Sequence, residues 1–137
     1  MYQRDYILRM IEMLGDLIAG IMGLIKKKKF DEASEKLGRI YYEMLKQDAA
    51  FFRDLTPAEI SGTILEDHNY TNGHLEILAE LFYTEAELML ARGDRRGCLD
   101  FSLKSLKLFE FINREYKTYS FDRIAKMRKL AERTGTV

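Results

Sequence analysis

Six apolar residues near the start of the chain, Ile7, Ile11, Leu14, Ile18, Ile21 and Ile25, recur at alternating steps of four and three. That spacing lines them up on one stripe of an α-helix and on no common face of a strand. It predicts a helix over residues 3–27. Met10, Leu17 and Leu24 widen the stripe, and Asp5, Arg9, Glu12 and Asp16 lie opposite. Ala19, Gly20 and Gly23 form a small-residue notch, which predicts a second covering element near the C-terminal half of this helix. A stripe of this length must be buried, and the rest of the sequence offers helix to bury it. Leu, Lys, Glu, Met and Ala are plentiful, Pro57 is the only proline, and no stretch alternates apolar and polar residues as a half-buried strand would.

The boundaries of the other helices are written in capping chemistry. Lys26, Lys27, Lys28 and Lys29 close the first helix, where cations meet its exposed carbonyls. A second helix runs from about Phe30 to Gln47 with Ala33, Leu37, Ile40, Tyr41, Met44 and Leu45 inside. The connection is only a few residues long, which forces an antiparallel pair. Thr56-Pro57-Ala58-Glu59 reads as a capping box with proline at the first helical position, opening a short helix to about Leu65. Residues 66–73 follow as a polar loop in which the Asn72-Gly73 step favours a turn. A fourth helix over 74–92 turns Leu75, Leu78, Phe82, Ala86 and Met89 inward and Glu76, Glu80 and Glu87 outward. Gly93 ends it, and Asp94 caps a fifth helix that reaches about residue 115. Ser120 caps a last helix through about Glu132, basic outside, that is expected to bury Phe121, Ile124, Met127 and Leu130. The expected fold is all-α: one domain over 1–137 with about six helices in antiparallel pairs.

Composition limits the function classes. The chain carries 22 basic and 22 acidic side chains, so no global charge favours nucleic acid. The charges are unevenly spread. Residues 48–90 hold nine acids against a single base, Arg53, while residues 114–133 hold seven bases against three acids. Such blocks suit solvated faces of opposite sign, or docking surfaces that complement each other between copies. Cys98 is the only cysteine, so no intramolecular disulfide forms. Charged residues interrupt the N-terminus, no signal peptide is expected, and the uncharged run from Leu17 to Ile25 is too short to span a bilayer. A cytoplasmic location is expected.

Two segments resemble one another and a known repeat. Lys28-Lys29-Phe30-Asp31-Glu32-Ala33 and Arg92-Gly93-Asp94-Arg95-Arg96-Gly97-Cys98 each follow a long helix and open another, 65 residues apart from Ala33 to Cys98. Both resemble the turn of a tetratricopeptide repeat, with Ala33 and Cys98 at the small position where the second helix packs on the first; their separation is close to twice the period of about 34 residues. The whole chain is similar to a family of small uncharacterised bacterial helical proteins. The likeness rests on Asp5-Tyr6-Ile7-Leu8-Arg9-Met10-Ile11-Glu12, Phe30-Asp31-Glu32-Ala33 and the block from Leu78-Ala79-Glu80-Leu81 to Gly93-Asp94. The resemblance implies a tetratricopeptide-like, right-handed helical solenoid and no activity. Two departures stand out: Phe109-Glu110-Phe111 where the repeat has a proline, and Lys29 where it has the turn Asp.

Three functions compete. The leading expectation is a non-enzymatic interaction or scaffold module that binds a protein, a peptide or its own copy as a homodimer. It would use a groove lined by the first and fourth helices, with Tyr42, Glu76, Glu80, Tyr83 and Glu87 as the contact residues, because dense aromatics leave some apolar surface exposed. It needs no cofactor and expects no nucleic-acid or membrane partner. The second is a small metal-binding or enzymatic protein built on the loop with His68 and His74, although their spacing fits no compact ligand motif. The third is a binder of anionic membrane surfaces or nucleic acid through Lys26–Lys29 and the basic last helix. Cys98, at a small packing position, reads as a buried and inert thiol.

Overall fold

The computed structural model describes residues 2–60, 70–116 and 120–136. The described residues form helices α1 (Tyr2–Lys26), α2 (Phe30–Leu45), α3 (Ala49–Arg53), α4 (Asn72–Arg92), α5 (Arg95–Tyr116) and α6 (Phe121–Thr134), with a single 3-10 turn over Pro57–Glu59 and no strand. The all-helical expectation holds.

Each long helix ends where its backbone groups find substitutes. α2 stops at Leu45, two residues short of the expected end, because Lys46 adopts a left-handed conformation (φ 58°) and returns its N–H to the Tyr42 carbonyl. Gly93 does the same for α4 at φ 85°, and the Asp94 carboxylate then accepts the Gly97 N–H at 2.9 Å to start α5. That stop-and-start junction is the one the sequence indicates. Ser120 accepts the Arg123 N–H and opens α6 as expected. At Thr56, the Glu59 carboxylate accepts the backbone N–H at 3.0 Å and the hydroxyl at 2.8 Å. The box therefore forms, although the helix it opens is described only as the 3-10 turn and Ile60; residues 61–65 lie outside the described residues.

Two expectations change. Asn72-Gly73 is not a turn but the first turn of α4, capped by the pair Thr71 and His74. Tertiary packing overrides the local preference here: a Cβ on Gly73 would strike the Cγ2 of Ile7, so glycine lets α1 lie close against the start of α4. Conversely, nothing among the described residues covers the notch on α1. A Cβ added at Gly20 or Gly23 would meet no atom within 4 Å.

α4 sits at the centre, which explains why apolar residues lie all around it. Leu75, Ile77, Leu78, Ala79, Leu81, Phe82, Ala86 and Leu88 are all buried, and α1, α2 and α5 each pack on it. Polar contacts fix the directions. Arg92 reaches Asp31 at 2.7 Å, while Glu85 meets Tyr41, so α2 runs antiparallel to α4. Asn113 lies beside Arg123 and Ser102 beside Arg133, so α5 runs antiparallel to α6. Only three residues join α1 to α2, so α2 doubles back along α1; α1 and α4 therefore point one way, with α2 and α5 reversed.

Candidate interaction surfaces

Four of the five residues expected on a contact surface lie on one face of α4. The structure turns that face toward α6 rather than toward solvent. Glu76, Glu80, Tyr83 and Glu87 fall at steps of four, three and four. Arg123, Lys126, Lys129 and Arg133 fall at steps of three, three and four on α6. The two rows meet in order: Arg123 with Glu76 at 3.8 Å, Lys126 with Glu80 at 2.6 Å, and Glu87 with both Lys129 at 2.9 Å and Arg133 at 3.2 Å. Lys126 and Lys129 also lie over the Tyr83 ring, at 5.4 and 5.7 Å from its centroid. The acidic centre and basic end of the chain thus complement each other within one molecule. Because partners rise together along both helices, α4 and α6 are parallel. The fifth residue, Tyr42, stands apart on the outside of α2, 60% exposed.

Electrostatics along this seam differ from pair to pair. Burial pushes the Glu80 carboxyl up, and Asp122 and Glu76 add to the rise against the pull of Lys126. Lys126 is also raised: burial works against its charge, but it serves two carboxylates, Glu80 and Asp122, which outweigh that burial. For Glu87 burial alone would raise the carboxyl, yet hydrogen bonds from Lys129 and Arg133 hold it below its ordinary value.

A second polar cluster was legible only in part. Glu85, 1% exposed, faces the core between α2, α3 and α5. It accepts Arg53 Nε at 2.5 Å and the Tyr41 hydroxyl at 3.1 Å. Lys104, also buried, donates to the Arg53 carbonyl at 2.9 Å, pairs with Asp100 and sits over the rings of Phe82 and Phe101. Burial raises the Glu85 carboxyl despite Arg53, and it raises the Tyr41 phenol well above its usual value. Both groups are engaged in holding α2, α3 and α4 together.

His74 has a structural task. Its Nδ1 accepts the Thr71 N–H at 3.1 Å, and its ring stacks on Tyr70 at 5.0 Å. Partial burial lowers its pKa, which favours the neutral ring that this acceptor role requires. His68 lies outside the described residues. Among the described residues no three His, Cys, Asp or Glu side chains converge as metal ligands. Cys98 is buried, its sulfur 3.9 Å from the Ser102 hydroxyl. No described helix is long and apolar enough to cross a membrane.

Apolar side chains are exposed on several helices, Leu90 on α4, Leu99 on α5 and Phe121 at the start of α6, which is 83% exposed rather than buried as expected; on α1 three of them form a row. Tyr6, Met13 and Leu17 are 54%, 58% and 37% exposed, and they share a stripe offset by one residue from the buried Ile7-to-Ile25 stripe. Of these three only Leu17 lines a groove of about 290 Å³ between α1 and α2, together with Gly20, Ile21, Ile40 and the charged Asp16, Lys36, Arg39 and Glu43. A second groove, about 530 Å³, lies between α5 and α6 and is edged by Glu110, Arg128 and Glu132. No family model matches the chain, and no curated protein or solved structure is significantly similar to it.

Proposed function

We propose that this chain is a short, right-handed, tetratricopeptide-like solenoid that works without catalysis as a protein-interaction module. The helix adjacencies support the architecture. α1 packs on α2 and α4, α2 on α4, α4 on α5, and α5 on α6. Helices one pair apart run in the same direction, as stacked helical hairpins require.

The observation that carries the function is the exposed stripe of α1. In a stack, each pair of helices buries one face on the next, and the end pair needs a polar outer face to remain soluble alone. The α1–α2 end instead offers Tyr6, Met13 and Leu17, the last of them lining a groove. Exposed aromatic and aliphatic side chains around a groove are what a docked polypeptide covers. By contrast Glu80, Glu85 and Glu87, the carboxylates most withdrawn from water, already hold cations of the same chain. They serve cohesion.

Photo-crosslinking in cells tests this reading. A crosslinking side chain at Met13 is expected to give a discrete polypeptide adduct that disappears when Leu17→Glu is added. The same group at Glu110 is expected to give none. Absence of any adduct at Met13 would overturn the reading.

A further inference from the structure

We propose that the outer stripe of α1 pairs with the α1 of a second copy, antiparallel and about a two-fold axis crossing near Met13. The inference rests on reading the chain as an interaction module, and it names the occupant of the exposed face. It begins with spacing. Tyr6, Met10, Met13, Leu17, Gly20 and Leu24 follow steps of four, three, four, three and four. That is the seam of a helix that packs along another helix. Met10 is already buried within its own molecule, whereas Tyr6, Met13, Leu17 and Gly20 face solvent.

Charge selects the partner and its direction. Arg9 and Asp16 stand on the solvent edge of this seam, both exposed, and neither has an ion-pair partner among the described residues. They are seven residues apart, two turns or about 10.5 Å along the axis. In a parallel pair Arg9 would face Arg9 and Asp16 would face Asp16. In an antiparallel pair crossing between residues 12 and 13, Arg9 of each copy lies level with Asp16 of the other, so both charges are neutralised twice by symmetry. Such reciprocity is the signature of an isologous contact.

The same crossing puts complementary shapes together. It brings the Tyr6 ring of one copy over Leu17 and Gly20 of the other, where the 290 Å³ groove opens. Gly20, whose Cβ would meet nothing within 4 Å, leaves room for that ring. Met13 of each copy meets its counterpart at the axis, a flexible side chain well suited to a self-complementary contact. The groove between α5 and α6 is lined by Leu106, Ile124, Met127 and Ala131, none of them exposed, so it offers no open apolar seam of this kind.

The test is the solution mass of the purified full chain over about 1–100 µM, the range in which an interface of modest area associates. A dimer is expected. Met13→Glu and Leu17→Glu should each weaken it at least about tenfold, since central apolar contacts dominate such interfaces. Tyr42→Glu, on the outside of α2, should leave it unchanged. Arg9→Asp and Asp16→Arg should each weaken the dimer by about three- to tenfold, and the double variant R9D/D16R should restore it. Circular dichroism checks that each variant is folded. A monomer throughout this range overturns the pairing. So does a dimer indifferent to Met13→Glu and Leu17→Glu, or a double variant no better than its parents. A monomer that still gives the Met13 adduct in cells removes self-pairing alone and leaves the interaction reading standing.

Discussion

Arg53 on α3 and Glu85 on α4 meet at 2.5 Å across 32 residues of sequence, and Glu85 is buried. A charge withdrawn from water in this way is tolerated only while its partners are present. Glu85→Ala strands Arg53 and frees the Tyr41 hydroxyl within the core. It should lower the unfolding free energy by about 3–5 kcal/mol. Replacing all three partners at once (Tyr41→Phe, Arg53→Met, Glu85→Leu) should recover most of that loss, because no unpaired polar group remains. Urea titrations of the single and triple variants measure both numbers. A triple variant as unstable as Glu85→Ala would show that the cluster contributes more than mutual neutralisation.

Gly73 and Ile7 set how closely α1 approaches α4. A Cβ at position 73 would overlap the Cγ2 of Ile7, and a β-branched side chain in a helix has no alternative rotamer to offer. Gly73→Ala should therefore destabilise by about 1–3 kcal/mol, despite the better helix propensity of alanine. Ile7→Leu moves the offending methyl group away from the backbone. The double variant should be more stable than Gly73→Ala alone, as measured by thermal unfolding.

Left-handed residues at the helix ends give predictions of opposite sign. Lys46 closes α2 at φ 58°, where an L side chain is strained, and Gly93 closes α4 at φ 85°, where glycine is relaxed. Lys46→Gly should stabilise the protein by about 0.5–1 kcal/mol, and Gly93→Ala should destabilise it by about 1 kcal/mol. Differential scanning calorimetry of the two variants checks the signs.

How much of this was legible in the sequence depends on whether a local or a distant group decides. The stripe from Ile7 to Ile25 and the caps at Thr56, Asp94 and Ser120 need only neighbouring residues, and they read correctly. Position 85 falls three after Phe82, a spacing that signals the inner side of α4, but the charge count takes Glu85 only as one of nine acids. Arg53 stood out as the sole base among nine acids. What joined them was not visible, since periodicity assigns a face without naming the helix opposite. The same blindness put Glu76, Glu80 and Glu87 on the outside: polar spacing marks a face that avoids the apolar core, and only the fold shows that α6 lies there. Tyr6, Met13 and Leu17 present the converse case, apolar positions for which the chain supplies more stripe than core.

The seam between α4 and α6 should give way at acid pH, and Glu87 decides where. Its folded carboxyl lies below the ordinary value of 4.5, so proton binding favours the unfolded state. Its contribution is therefore complete above that value and is lost as pH falls through the lower, folded one. Glu80, whose carboxyl is raised, has the opposite sign and moderates the change. Glu87→Gln abolishes the charge that Lys129 and Arg133 share, and it should lower stability near neutral pH by about 1–2 kcal/mol. The difference between the wild type and this variant should shrink toward zero as the medium is acidified from 4.5 down through the lower, folded range of this carboxyl. Amide exchange along α6 reads the effect locally: protection from Phe121 to Thr134 should fall in Glu87→Gln at neutral pH, while that of α2 is unchanged. A variant whose α6 stays fully protected would mean that Met127 and Leu130, not the ion pairs, hold the last helix in place.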